Sequence, residues 1–118
     1  MQEAYLVPVG QADRIKADLA VHVVAAAFGV PAERMMARGR AEPMACHARR
    51  VAIYLVHVTY GWTLERVGHV FRVNRATAGT ACRWVEDRRE EPAFDETVER
   101  LGESLIWPSA GPARGLLA

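Results

Sequence analysis

Ala45 to Tyr60 is a sixteen-residue segment whose later half is apolar on nearly every side: Val51, Ala52, Ile53, Tyr54, Leu55, Val56 and Val58. Its valines would suit a β-strand, because β-branched side chains fit a pleated surface. Its length would not, since strands usually run about 3–10 residues. A helix that is apolar all round has to be enclosed by other elements. The segment is therefore expected as the buried central helix of a bundle, closed by Gly61, with His47, Arg49 and Arg50 in its first turns.

The chain has 118 residues, enough for one domain with a real core and too few for a comfortable pair. From Ala12 to Phe28 the residues Ile15, Leu19, His22, Val23 and Ala26 fall near helical spacing, and Gly29 is placed to end that helix. Pro31 suits the first turn of a short helix reaching Ala37, with Met35 and Met36 as its apolar weight, before Gly39 and an arginine-bearing loop. Thr63 can cap a helix whose Leu64, Val67, Gly68 and Phe71 repeat at i, i+3, i+4 and i+7. Asn74 can cap the next, in which Ala78, Ala81, Cys82 and Val85 form an inner stripe. Pro92 marks the start of an amphipathic helix from Phe94 to Leu105, with Phe94, Val98, Leu101 and Leu105 facing inward. Pro108, Gly111, Pro112 and Gly115 make the end read as a tail. The expectation is an all-α fold, a small bundle of about six helices over residues 12–106, with flexible tails at 1–11 and 107–118.

The net charge of +1 conceals a segregation. From Arg34 to Arg89 there are eleven arginines against Glu42, Glu65, Glu86 and Asp87, while the rest carries four bases and ten acids. A basic middle between acidic ends offers one face to a polyanion; the plainer alternative is a solvated helix surface.

The pair of helices on either side of Asn74 is joined by only Arg72-Val73-Asn74. Small residues on the inner stripe let the two approach closely, which leaves Arg75, Gly79, Thr80 and Arg83 on the outer side of the second. B-DNA's major groove is about 12 Å wide and admits one such helix. Arginine can make two hydrogen bonds to guanine, and threonine can bond bases or phosphates and offer its methyl to thymine. Arg75, Thr77, Thr80 and Arg83 are therefore the candidate readers. Gly79 fits either a close approach to DNA or tight helix packing, because glycine inside a helix costs about 1 kcal/mol relative to alanine. Helical hairpins alone occur in many proteins that never touch DNA; the charge pattern tips the balance.

The runs Arg49-Arg50-Val51-Ala52-Ile53-Tyr54-Leu55, Thr63-Leu64-Glu65-Arg66-Val67-Gly68-His69-Val70-Phe71, Ala76-Thr77 and Ala81-Cys82-Arg83 resemble the C-terminal DNA-binding domain of the bacterial replication initiator DnaA. The likeness holds in order over about residues 14–105, and the ending VEDRREEPAFDETVERL is similar to stand-alone alphaproteobacterial versions of that domain. The resemblance implies an all-helical bundle containing a helix-turn-helix and a basic loop that reaches the minor groove. It assigns Arg38 and Arg40 to that loop, with Arg40 as the minor-groove arginine. It sets Arg49, Arg50, Thr63 and Leu64 on phosphates, and Asn74, Arg75, Ala76 and Thr77 on the recognition segment. The initiator's usual Gly-Gly-Arg-Asp-His-Thr-Thr is altered here: Asn74, Arg75 and Ala76 replace its aspartate, histidine and first threonine, with one residue fewer before them. Each changed base contact is worth about 1–3 kcal/mol of discrimination, so binding to the standard initiator box is not expected.

No Gly-x-x-x-x-Gly-Lys-Ser/Thr loop occurs in the sequence, so no nucleotide and no other cofactor is expected. The expected activity is sequence-specific double-stranded DNA binding, in transcription regulation or in modulating replication initiation, by a monomer in the cytoplasm. No apolar run approaches the roughly 18 residues a membrane span needs. Cys46 and Cys82 sit outside any paired spacing and read as buried thiols. His22, His47, His57 and His69 show no metal-ligand spacing, and His57 suits a backbone carbonyl better than a phosphate. No nucleophile, base and orienting residue stand together, so an enzyme is not expected. The competing reading is a protein-interaction module using Trp62, Trp84 and Trp107, for which partial core burial is the plainer account.

Overall fold

The computed structural model describes residues 10–37 and 42–117, with side chains through Ile106. Six helices follow one another, with no strand among the described residues: α1 (Gln11–Phe28), α2 (Ala32–Met36), α3 (Pro43–Thr59), α4 (Leu64–Phe71), α5 (Arg75–Arg88) and α6 (Pro92–Leu117). The all-α bundle expected from the sequence is the observed architecture.

α3 is the axis. Ala45, Ala48 and every residue from Val51 to Val56 are buried along it, and α1, α2, α4, α5 and α6 all touch it. Pro43 sits at its first turn, where a missing N–H costs nothing.

α1 corrects the sequence reading in one respect. Its buried stripe is Ala17, Ala20, Val21, Val24 and Ala25, whereas Ile15 is 63% exposed and Ala26 also faces solvent. Small side chains at i, i+3, i+4, i+7 and i+8 let α1 lie close against α3, so the inner face is set by alanines rather than by the bulkiest apolar residue. Gly29 ends the helix in the left-handed conformation (φ 67°).

The α4–turn–α5 unit is fixed at both ends of its connection. Thr63 caps α4 by accepting from the Arg66 N–H at 3.1 Å. Asn74 caps α5 by accepting from the Thr77 N–H at 2.7 Å. Between them Arg72 takes a left-handed conformation (φ 61°, ψ 43°), and the Val73 N–H donates to the Gly68 carbonyl at 3.0 Å. A Cβ on Gly68 would stand 2.4 Å from the Val73 carbonyl oxygen. Gly68 is thus more than part of an apolar stripe: only a residue without a side chain lets the turn fold back onto α4.

α6 buries Val98, Leu101 and Leu105, the inward positions read from the sequence. It starts at Pro92 and runs to Leu117, where a tail was expected from residue 107.

Two ionic ties hold the flanking helices. Arg66 of α4 makes a two-pronged pair with Asp13 of α1, at 2.9 and 2.7 Å, and this holds the Asp13 carboxyl below its usual range. Arg89, just after α5, donates to Asp95 at 2.6 Å, to the Tyr54 hydroxyl at 3.0 Å and to Glu99. Tyr54 in turn donates to Glu86 at 2.7 Å, which links α3, α5 and α6.

Candidate nucleic-acid interface

The exposed side of the helix-turn-helix carries most of the residues singled out in the sequence. Asn74, Arg75, Ala76, Thr77, Thr80 and Arg83 are all exposed on α5 or at its start. The inner stripe, Ala78, Ala81, Cys82 and Val85, is buried against the bundle, so the outer side of α5 is the side left to a partner. The amide oxygen of Asn74 is engaged by the cap, which leaves its NH2 group as the available donor.

α3 approaches this side from behind. Cys46, Arg49, Arg50 and Ile53 of α3 face Val73, Asn74, Ala76, Thr77, Thr80 and Ala81 across a cleft of about 370 Å³. The arginines assigned to phosphates thus share a recess with the recognition segment, although some 25 residues separate them in sequence. Arg49 also has a structural role: its Nη2 donates to the Phe71 carbonyl at 3.4 Å, while its Nε is buried and without a partner. Cys46 is only half-buried here, a correction to its reading as a core thiol; Cys82 is buried, and burial pushes its thiol up to about 11.

Thr63 and Leu64 divide their roles. Thr63 is exposed and caps α4, with its hydroxyl hydrogen still able to donate. Leu64 is half-buried and packs against the core, so what it offers a phosphate is the backbone N–H of the first turn. The Leu64 side chain does not account for Gly79: a Cβ there would meet Leu64 Cδ1 at 3.5 Å, an ordinary contact, so tight helix packing does not demand glycine. Arg38 and Arg40 lie outside the described residues.

The ion pairs sort the arginines. Arg34 pairs with Glu42, Arg66 with Asp13, Arg89 with Asp95 and Glu99, and Arg100 with Glu96. Arg49, Arg50, Arg75 and Arg83 pair with no described acid, and neither does Arg72. Arg72 was missed in the sequence. It is exposed at the left-handed turn, beside a second depression shared with Glu65, His69, Asn74 and Arg75. Its position two residues before the Asn74 cap is the signal that points to it.

The remaining candidates resolve simply. His57 Nδ1 lies 2.7 Å from the Trp62 carbonyl oxygen and Trp62 is buried, as the plainer reading of each residue has it. His47 stacks on Trp84 with ring centres 4.7 Å apart; burial first, then Arg88 and Arg50, push its pKa below the usual histidine value. Among the described residues no group of His, Cys, Asp and Glu is arranged to hold a metal, and no helix is long and apolar enough to cross a membrane.

No curated protein matches the chain. The model of a family described as bacterial dnaA protein helix-turn-helix matches residues 17–85, from the buried stripe of α1 to the end of the inner stripe of α5. Since that span covers more than half of the 118 residues and contains the capped α4–turn–α5 unit, the chain belongs to the bacterial dnaA helix-turn-helix family, a family of DNA-binding domains.

Proposed function

We propose that this domain reads double-stranded DNA sequence-specifically, with the N-terminal half of α5 in the major groove. The reading rests on one observation: Arg75, Thr80 and Arg83 are exposed on the side of α5 away from its buried stripe, and the two arginines form no ion pair among the described residues. A guanidinium already paired with a carboxylate must give up that pair to meet a base, whereas an unpaired one binds without that loss. Arg75, Ala76, Thr77 and Thr80 face base edges, and Arg83 and Asn74 flank them. Arg49, Arg50 and the α4 N-terminus at Thr63 and Leu64 hold the phosphates on either side. Arg38 and Arg40, between α2 and α3, enter the neighbouring minor groove.

In this role one molecule occupies one site as a monomer, without nucleotide or other cofactor. The domain regulates transcription or modulates replication initiation in the cytoplasm by occupying particular sites. Because Asn74, Arg75 and Ala76 replace the initiator's recognition residues, its site differs from the standard initiator box.

Selection of bound duplexes from a random pool tests this directly. The expected result is one enriched motif, bound with an affinity that falls as salt rises, by about 0.9 log units per log unit of salt for each phosphate neutralised. Recovery of random sequence, or binding indifferent to salt, overturns the reading. Gel filtration at micromolar concentration checks the monomer; a dimer mass contradicts it.

A further inference from the structure

Trp84 has no part in the interface described so far, yet it gathers the cations behind it. One turn beyond Thr80 on α5, its ring lies 4.9 Å from the guanidinium carbon of Arg50 on α3 and 4.8 Å from that of Arg88 on α5. His47 stacks on the same ring at 4.7 Å, and Phe94 of α6 meets it edge-on at 6.2 Å. Arg50 also lines the cleft that holds Asn74, Thr77 and Thr80. Neither arginine has a carboxylate partner among the described residues, so the indole ring is what orders them.

We propose that Trp84 is a positioning residue of the DNA interface, its ring holding the Arg50 guanidinium at the edge of the cleft where a phosphate is bound. The physical reason lies in the choice of brace. A flexible arginine gives up rotamer freedom when it grips a phosphate, and that loss weakens binding unless the side chain is ordered beforehand. A carboxylate would order it too, but would then compete with the phosphate for the same N–H groups. An aromatic face orders the guanidinium through its flat side and leaves the N–H edge free for a phosphate.

This inference rests on the proposed interface, and the test separates the two. Affinity for the selected duplex is measured for Trp84→Leu, Trp84→Phe, Arg50→Ala and Trp84→Leu with Arg50→Ala, beside the melting temperature of each. Trp84→Leu is expected to weaken binding about two- to fivefold, the range of an exposed cation–π contact. Trp84→Phe should restore most of that. The double variant should bind no worse than Arg50→Ala alone, since the tryptophan acts through that arginine. By contrast, Trp84→Leu combined with Arg83→Ala should show additive losses.

Binding by a folded Trp84→Leu protein that equals the wild type overturns the proposal. So does full additivity with Arg50→Ala, or a Trp84→Phe protein as impaired as Trp84→Leu at the same melting temperature. If Trp84→Leu does not fold, the free protein still decides. The Trp84 indole N–H resonance, identified by its loss in Trp84→Phe, should shift on Arg50→Ala, and no shift overturns the proposal. A wild-type chain that binds no duplex sinks the interface reading itself, an outcome distinct from a wild type that binds and a tryptophan variant that binds equally well.

Discussion

The arginines on the two sides of this bundle have the same chemistry and opposite surroundings. Away from α5's outer side, Arg66 and Arg89 are locked to Asp13, Asp95 and Glu99, tying α1 to α4 and α5 to α6. Around the cleft and the turn, Arg50, Arg72, Arg75 and Arg83 form no ion pair among the described residues. A residue type therefore says little by itself about role, and the distribution of carboxylates says much. Asp13 of α1 and Asp95, Glu96 and Glu99 of α6, among the acids that bring the net charge to +1, are engaged by Arg66, Arg89 and Arg100. A protein nearly neutral as a whole can still present concentrated positive charge to a polyanion.

The sharpest way to break this contrast is to remove one cation from each class and measure stability and affinity together. Arg89→Ala deletes the donor shared by Asp95, Glu99 and Tyr54 and leaves the half-buried Asp95 carboxylate without its partner. The expected cost is about 2 kcal/mol in urea unfolding, below the figure for a fully buried pair because the partners are partly solvated. Affinity measured where the protein remains folded should be unchanged. A loss of binding with no loss of stability would erase the distinction.

Arg75→Ala is the mirror experiment. Its exposed side chain has no acid partner, so stability should stay within about 0.5 kcal/mol of wild type. Discrimination between the selected duplex and single-base variants should fall by about 1–3 kcal/mol at one position of the site. Arg49→Ala should weaken binding to all sequences alike. It should also cost some stability, because Arg49 donates to the Phe71 carbonyl at the end of α4. Equal losses over all duplexes for both variants would show the assigned roles to be wrong.

The same contrast explains how much was legible beforehand. The central helix from Ala45, the Thr63 and Asn74 caps and the inward face of α6 could be read because burial and capping act locally. The face of α1 could not, since alanines set it while Ile15 drew the eye; close approach of backbones is a tertiary fact. The meeting of Arg49 and Arg50 with Thr77 and Thr80 was implied only by resemblance, because nothing in the spacing brings the start of α3 to α5. Glu96 and Arg100 stand at i and i+4, a spacing a helix pairs, but the tie that joins α1 to α4 was not legible, since Asp13 and Arg66 are 53 positions apart.

Gly79 gives a smaller effect. Because an added Cβ would make only an ordinary contact with Leu64, Gly79→Ala should stabilise the protein by up to about 1 kcal/mol through helix propensity. If the bare backbone serves close approach to DNA, affinity should drop while stability rises. Unchanged affinity would show that glycine is not required there for binding.

The smallest expected effect is a difference in how the two sides respond to pH. His47 is pushed below the ordinary histidine pKa by burial, then by Arg88 and Arg50, so the unfolded chain takes up its proton first as pH falls through about 6.5. Stability should therefore be full above pH 7 and decline as pH drops below that point. DNA should show the opposite slope: a phosphate seated on Arg50 offsets the part of the lowering that comes from that arginine, so binding takes up protons and affinity rises as pH falls from 7 to about 6. The tie on the far side has no such window. Asp13 is held below 3.8 by Arg66, so the stability it contributes is lost only as pH falls through that lower range. His47→Gln should flatten both slopes near pH 6.5 and leave the acid limb in place. Parallel slopes for folding and binding, or slopes that survive the substitution, would mean that the histidine does not sense the phosphate.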